Sequence, residues 1–342
     1  MDKKRVLSGM RPTGKLHLGN HFGALSNWLK LQSSDPGCFY MVADWHALTT
    51  DYADTSNVES NAGEMVLDWL AQGLDPKKSV LFRQSWVAEH AELALILSMI
   101  TPLSWLERNP TYKEQMNELK DRDISTHGFL GYPVLQAADI LLYHASHVPV
   151  GEDQLPHLEL TREIARRFNH IYKKQVLKEP QAILSNTPKV PGTDGRKMSK
   201  SYDNCVYLAD EEPVLKKKIN SMYTDPQKIR ADDPGHPLPC PENPPGCVVF
   251  ALHKIYGRPE TLGPREADCR SGALGCVACK KDLFESMNNA LGPAREKRRS
   301  LEKEKDLVRS ILSDGSKKAR ETASRTVEEI RRAVRFESEG GR

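Results

Sequence analysis

Arg5–Gly23 reads RVLSGMRPTGKLHLGNHFG, and its reading sets the architecture of the chain. The apolar run at Arg5–Ser8 has the length of a buried strand and passes through a Gly/Pro-containing turn into a helical pattern. Backbone N–H groups at the start of such a helix, together with its dipole, favour an anion. Gly14, Gly19 and Gly23 permit close backbone approach. His17 and Asn20, three apart, share one helix face from which both can donate to phosphate oxygens. A histidine at a helix start is also a common cap or packed imidazole, so this stretch alone leaves its chemistry open.

The strand-then-helix rhythm continues outward. Phe39–Ala43, Val80–Phe82, Val148–Val150 and Ala182–Leu184 are short apolar runs of strand length, separated by helical patterns. In one of these, Leu160, Ile164, Phe168 and Ile171 fall on one apolar face, with Arg162, Arg166 and Arg167 mostly turned elsewhere. Alternating β and α predicts an α/β fold over residues 1–204, a Rossmann-like doubly wound parallel sheet. After Asn204 the strand signal fades, and residues 205–342 read as a C-terminal α-helical domain. Asp232–Cys247, DDPGHPLPCPENPPGC, is too rich in Pro and Gly for regular structure and opens a cysteine-rich insert at about 232–280. Beyond Lys280 the pattern is helical. Asp314-Gly315 is expected to break it, and Ala319, Ala323, Val327, Ile330 and Val334 line one face of a last helix.

At 342 residues with 39% hydrophobic and 28% charged positions, the composition is that of a globular chain with room for two domains. No run approaches the ~18 apolar residues of a membrane span, and the N-terminus lacks a signal-peptide apolar region. A cytoplasmic protein with no membrane partner is expected. A net charge of +3 excludes reading a large basic face from the total, and DNA is not an expected partner. Lys281–Arg342 carries sixteen Lys/Arg against twelve Asp/Glu, a mildly basic tail that also fits solvated helix faces.

A second motif lies at Pro191–Asn204, PGTDGRKMSKSYDN. Two glycines give a flexible approach, and Lys197 and Lys200 bracket a hydroxyl. Lysine is a mobile point charge suited to following charge as a phosphate group leaves, and a loop can close over the ligand. Catalysis of that kind is electrostatic. By itself KxSK is more often an exposed basic turn.

Taken together and in this order, HLGN and KMSKS resemble the paired signatures of class I aminoacyl-tRNA synthetases. Asn20 replaces the final histidine of the usual H-I-G-H form, a variant of the tryptophanyl branch. Gly131–Tyr143 (GYPVLQAADILLY), Val148–His157 (VPVGEDQLPH) and Asp44–Leu48 (DWHAL) resemble the bacterial tryptophanyl family almost word for word. The resemblance is weakest between Asp232 and Lys280. It implies that Asp139 accepts the substrate indole N–H, that Tyr132 and Gln154 hold its ammonium, and that Leu7 and Val150 line the ring pocket. Gln136 stands where the family has methionine, and His46 is a pocket neighbour or a core histidine. For ATP it implies contacts from Arg11, Pro12, Thr13, His17, Gly19 and Asn20, and from Gly151, Glu152 and Asp153. Lys113, Lys197 and Lys200 approach the triphosphate, Ser199 and Ser201 flank them, and Val190 and Met198 pack on adenine. The implied reaction joins L-tryptophan to tRNA(Trp) through an adenylate. The resemblance also implies Mg2+ with ATP, without a dedicated protein cage, and a homodimer.

Seven cysteines in a cytoplasmic chain point to thiols or metal rather than disulfides. Cys247, Cys269, Cys276 and Cys279 spell C-x21-C-x6-C-x2-C. Four thiolates in an irregular insert suit zinc or an iron–sulfur cluster, and only one short pair is present where structural zinc more often has two. Some members of the tryptophanyl family carry a [4Fe–4S] cluster at nearly this spacing, one residue longer in the first gap, so the resemblance implies a cluster. Zinc or metal-free thiols are the alternatives, and Cys240 is a rival to Cys247 as outer ligand. Two other readings compete for the chain. A tyrosyl-tRNA synthetase would carry a tyrosine in the first strand and a GGSDQ-like run, against Leu7 and VPVGEDQ here. A non-aminoacylating RNA-binding paralogue would keep the fold without the activity.

Overall fold

The computed structural model describes residues 4–35, 37–110, 112, 124–184 and 190–336. Five strands form one sheet: β1 (Val6–Met10), β2 (Cys38–Val42), β3 (Val80–Arg83), β4 (His147–Val150) and β5 (Gln181–Leu184). Their order is β3-β2-β1-β4-β5, every pairing parallel, with Val6 opposite Cys38, Val42 opposite Arg83 and Val150 opposite Leu184. Each strand expected from sequence is present within two residues.

β2 reads as an unbroken, fully buried apolar run because both sheet faces are covered there, whereas β1 is buried at Val6 and Leu7 and opens at Ser8 and Gly9 towards its carboxyl end. Successive residues point to opposite sides. Val6, Tyr40 and Val42 join a core with Leu25, Trp28 and Trp69, while Leu7, Phe39 and Met41 join another with Leu141, Ile164 and Phe168. Trp28 stacks on Tyr40 at 4.6 Å and meets Trp69 edge-on at 5.2 Å. The strand order runs outward in both directions from β1, so the carboxyl ends of β1 and β4 open a crevice at the topological switch point.

Two expectations about helices are corrected. Ile171 is 42% exposed, because Tyr172 instead turns inward onto Phe168, ring centroids 4.7 Å apart, in the last turn of the helix Leu155–Tyr172. Asp314-Gly315 does not break the C-terminal helix, which runs from Leu307 to Val334. Gly315 is there for close approach: a Cβ at this position would fall inside the carbonyl of Leu81 in β3. Ala319, Ala323, Val327 and Ile330 of this helix are buried in the core under that face of the sheet. The final helix therefore packs on the sheet rather than apart from it. Residues 232–247 are irregular, as expected, whereas the rest of the cysteine-rich insert is helical, at Val248–Tyr256, Pro259–Ser271 and the start of Cys276–Leu301.

Candidate active site

At the β1 exit the chain forms one α-helical turn, Leu18–Asn20, then a π-helical turn, His21–Leu25, before the helix Ser26–Ser34. His17 is the N-cap. Its Nδ1 accepts the Asn20 backbone N–H at 3.3 Å, and its own N–H donates to Asn20 Oδ1 at 3.2 Å. The capping and phosphate-donor readings thus coexist, because an Nδ1 acceptor places the proton on Nε2. Burial, aided by the Lys200 charge, lowers the imidazole pKa to about 4, so His17 offers a neutral N–H. Any Cβ at Gly19 would sit 2.9 Å from the His17 ring. The turn is also stitched from outside: Leu16 N–H donates to Asp68 Oδ2 at 2.6 Å, and Leu18 N–H to the Val206 carbonyl at 2.9 Å.

The lysine loop lies against this turn. Lys200 Nζ donates to the Thr13 carbonyl and lies 3.5 Å from Thr13 Oγ1. Burial lowers its pKa, and its ammonium faces the Tyr207 ring at 5.7 Å. Met198 is buried beside Gly19, and Val190 is buried in the same core, whereas Lys197 and Ser201 are exposed and Ser199 half-buried. Asn204 shapes the loop. Its Oδ1 accepts Ser199 N–H at 2.8 Å, and its Nδ2 donates to Asp194 Oδ1 at 2.8 Å and to the Lys197 carbonyl at 3.1 Å. Gly192 leaves room for that amide, which a side chain would displace. Nearby, Arg11 hydrogen-bonds Thr50 and lies 3.6 Å from Asp51, Pro12 is buried and Thr13 exposed. Lys113 lies outside the described residues.

Across the crevice, β4 ends in Gly151, where a Cβ would lie 2.5 Å from Asp153 Oδ1. Glu152 and Asp153 are exposed in a 3-10 turn, and Gln154 donates to Asp153 at 2.7 Å. Leu7 and Val150 are buried in one core with Leu141. The helix His127–Leu142 carries Tyr132, Gln136 and Asp139. Tyr132 is half-buried, its OH 3.0 Å from His157 Nε2, and His157 Nδ1 is 3.0 Å from Asn109 Nδ2. Burial lowers the His157 pKa to about 4 and raises that of Tyr132 to about 12. Gln136 is half-buried one turn before Asp139.

Asp139, 2% exposed, is enclosed by donors. His90 Nδ1 and Gln84 Nε2 lie 2.6 and 2.9 Å from Oδ1, and His46 Nε2 and the same Gln84 nitrogen lie 2.8 and 3.0 Å from Oδ2. Burial pushes this carboxyl up, but the His90 charge and the hydrogen bonds from His46 and His90 outweigh it and hold the pKa at about 2. His90 passes its other nitrogen to the Tyr143 hydroxyl at 2.7 Å. His90 and Gln84 are fully buried, whereas the His46 side chain keeps 12% exposure, so His46 marks the open side of the carboxylate.

In the insert, Cys247, Cys269, Cys276 and Cys279 line one cavity with Thr224, Val249, Phe250, Arg265 and Leu274. Cys240 is not among its walls, which removes it as a rival to Cys247 there. Burial, then the neighbouring Cys279 and Cys269, push the Cys247 thiol up to about 12, and Arg265 Nη1 lies 3.5 Å from Cys279 Sγ. Among the described residues no three of these sulfurs lie within 4.8 Å of one another.

Residues 2–292 match the family model of class I tRNA synthetases for tryptophan and tyrosine. The chain belongs to that family. It is 53% identical over 331 residues to the tryptophan–tRNA ligase of Thermotoga maritima, an alignment covering 96% of this chain and 98% of that protein. It is 47% identical over 400 aligned positions to the tryptophan–tRNA ligase of Aquifex aeolicus, covering 96% and 99%. The tryptophanyl-tRNA synthetase from Campylobacter jejuni complexed with ADP and tryptophan superposes with a TM-score of 0.83 at 35% identity, covering 96% of this chain and 99% of that one.

Several residues of this synthetase site escape a reading of the sequence: Gln84, His90, Tyr143, His157, Asn109 and Asp68. His90 leaves a signal, since it interrupts the buried stripe of Leu93 and Leu97 in the helix Glu89–Ser98. Asp68 does likewise among Met65 and Trp69 in the helix Val58–Ala71. Buried polar residues in apolar stripes need partners. Which partners they find is set by the sheet order.

Proposed function

We propose that this class I synthetase is a tryptophan–tRNA ligase, forming tryptophanyl-adenylate from L-tryptophan and ATP and passing the acyl group to tRNA(Trp). One observation carries the reading: Lys200 of KMSKS reaches the carbonyl of Thr13 at the β1 exit, over the HLGN turn, at the switch point of the sheet. The tryptophanyl relatives support the choice of amino acid.

The tryptophan carboxylate, ionised at neutral pH, attacks the α-phosphorus in line and pyrophosphate leaves, so no general base is needed. His17 Nε2–H and Asn20 donate to phosphate oxygens. Lys200 exchanges the Thr13 carbonyl for the departing pyrophosphate, joined by Lys197 and, by resemblance, Lys113, with Ser199 and Ser201 flanking. Arg11, Pro12, Thr13, Gly19, Gly151 and Glu152 line the nucleotide, Asp153 accepts from ribose, and Val190 and Met198 pack on adenine. Mg2+ supplies charge neutralisation on the phosphates when bound. Leu7, Val150 and Gln136 face the ring, and Tyr132 and Gln154 hold the ammonium. The indole N–H approaches Asp139 from the His46 side, the only one of its three donors with exposure. Asp139 already holds three donors, so the indole N–H would take the place of His46 on Oδ2, an exchange that a substrate lacking that donor cannot make.

The enzyme is read as a cytoplasmic homodimer. Among the described residues no helix is long and apolar enough to cross a membrane. Cys247, Cys269, Cys276 and Cys279 would hold a [4Fe–4S] cluster, bracing the insert.

Tryptophan-dependent ATP–pyrophosphate exchange by Lys200→Ala tests the motif junction. A kcat lowered roughly 100-fold with tryptophan KM within about threefold is expected. An unchanged kcat would overturn the assignment.

A further inference from the structure

We propose a second metal site in this chain, distinct from the four-cysteine cavity: a zinc-class divalent ion held by His236, Cys240 and Glu242. A ring nitrogen, the thiol sulfur and a carboxylate oxygen of these residues lie within 4.8 Å of one another. Bonds of about 2.0–2.3 Å to a tetrahedral ion separate ligand atoms by roughly 3.3–3.8 Å, so small side-chain rotations close the set. Nitrogen, sulfur and oxygen together suit zinc and its neighbours, not magnesium or calcium, which take oxygen.

The backbone holding the ligands is already fixed. Cys240 and Asn243 exchange backbone hydrogen bonds, each at 3.1 Å. Asn243 is fully buried, donates its amide to the His236 carbonyl at 2.9 Å and accepts from Tyr223 OH at 3.0 Å. Behind the imidazole, His236 Nδ1 lies 2.8 Å from Asp225 Oδ2, and Asp225 is buried. A carboxylate on one ring nitrogen fixes the tautomer and frees the other, the arrangement that metal-bound histidines carry. This assigns the ion to Nε2. Cys240 Sγ and a Glu242 carboxylate oxygen lie within 4.8 Å of each other. Three protein ligands leave the fourth position to water.

The site has a structural consequence. Pro237, Leu238 and Pro239, between the first two ligands, line a groove of about 640 Å³ together with Phe22 and Ser26 of the segment that follows HLGN. An ion on the turn would brace that wall.

The test uses full-length protein, washed with chelator and titrated with Zn2+ against a chromophoric competitor, then with Co2+. Wild type is expected to take up one zinc equivalent more than His236→Ala or Cys240→Ser. Cobalt should give a thiolate charge-transfer band that Cys240→Ser abolishes while iron and sulfide content stay unchanged. Asp225→Asn should weaken zinc roughly 10–100-fold. Circular dichroism checks that each variant is folded. Equal zinc uptake by wild type and both ligand variants, or a cobalt band that survives Cys240→Ser, overturns the proposal.

Discussion

Arg298→Met removes the partner of a buried carboxylate that supports HLGN from beneath. Arg298 sits near the end of the helix Cys276–Leu301 and donates to Asp68 Oδ1 at 2.7 Å, to the Glu64 carbonyl at 3.1 Å and to Glu64 Oε2 at 2.6 Å. Both Asp68 and Arg298 are under 5% exposed, and Asp68 also accepts Leu16 N–H, one residue before His17. Burial already raises the Asp68 pKa to about 6 against the pull of the Arg298 charge, so losing Arg298 leaves a desolvated carboxylate with one donor. Breaking such a pair costs about 3–5 kcal/mol, or a Tm lower by roughly 4–7 °C in a chain of this size. Asp68→Asn/Arg298→Met removes both charges and keeps an oxygen for Leu16, so it should recover to within about 1–2 kcal/mol of wild type. Urea unfolding gives the stabilities, and pyrophosphate exchange should show a raised ATP KM for the single variant with less effect on the tryptophan KM. A loss below about 1 kcal/mol, or a double variant no more stable than the single, would refute the pairing argument.

Gly315→Ala gains about 1 kcal/mol of helix propensity but drives a methyl into the Leu81 carbonyl, at a cost of about 1–3 kcal/mol or more, so a net destabilisation is expected in thermal melts. Asn204→Ala removes three hydrogen bonds that shape the lysine loop; adenylate formation should slow roughly 10–100-fold, with tryptophan binding by calorimetry nearly unchanged. His17 favours the neutral form in the fold, so its contribution to stability is lost as pH falls from 6.5 to about 4, and its imidazole NMR signals should stay neutral at pH 6. Asp139 gives stability that is present above pH 3.8 and lost as pH falls towards about 2. Asp68 acts oppositely: the fold binds its proton more tightly, so its stabilisation is full below pH 3.8 and lost as pH rises through about 6. Acid unfolding of wild type and Asp68→Asn, compared between pH 4 and 6, separates the last term from the others.

The five strands were legible because each contains a short apolar run of strand length between helical patterns, a local signal. So was the HLGN turn, where His17 and Asn20 bond one another across three residues. The cage around Asp139 was not. Its donors come from the helix Asp44–Asp51, the turn after β3 and the helix Glu89–Ser98, which only the β3-β2-β1-β4-β5 order brings together. Gly315 was misread because a glycine that ends a helix and one that admits a neighbouring strand look alike until the neighbour is known. Ile171 was misread because the inward side of a last turn depends on where the helix leaves its partner.

ATP–pyrophosphate exchange by the full-length chain, with tryptophan and tyrosine supplied separately, tests the central claim most directly. Exchange sustained by tryptophan and not by tyrosine is the predicted result. Exchange sustained by tyrosine would contradict the role given to Asp139, and exchange with neither would contradict the ligase reading itself.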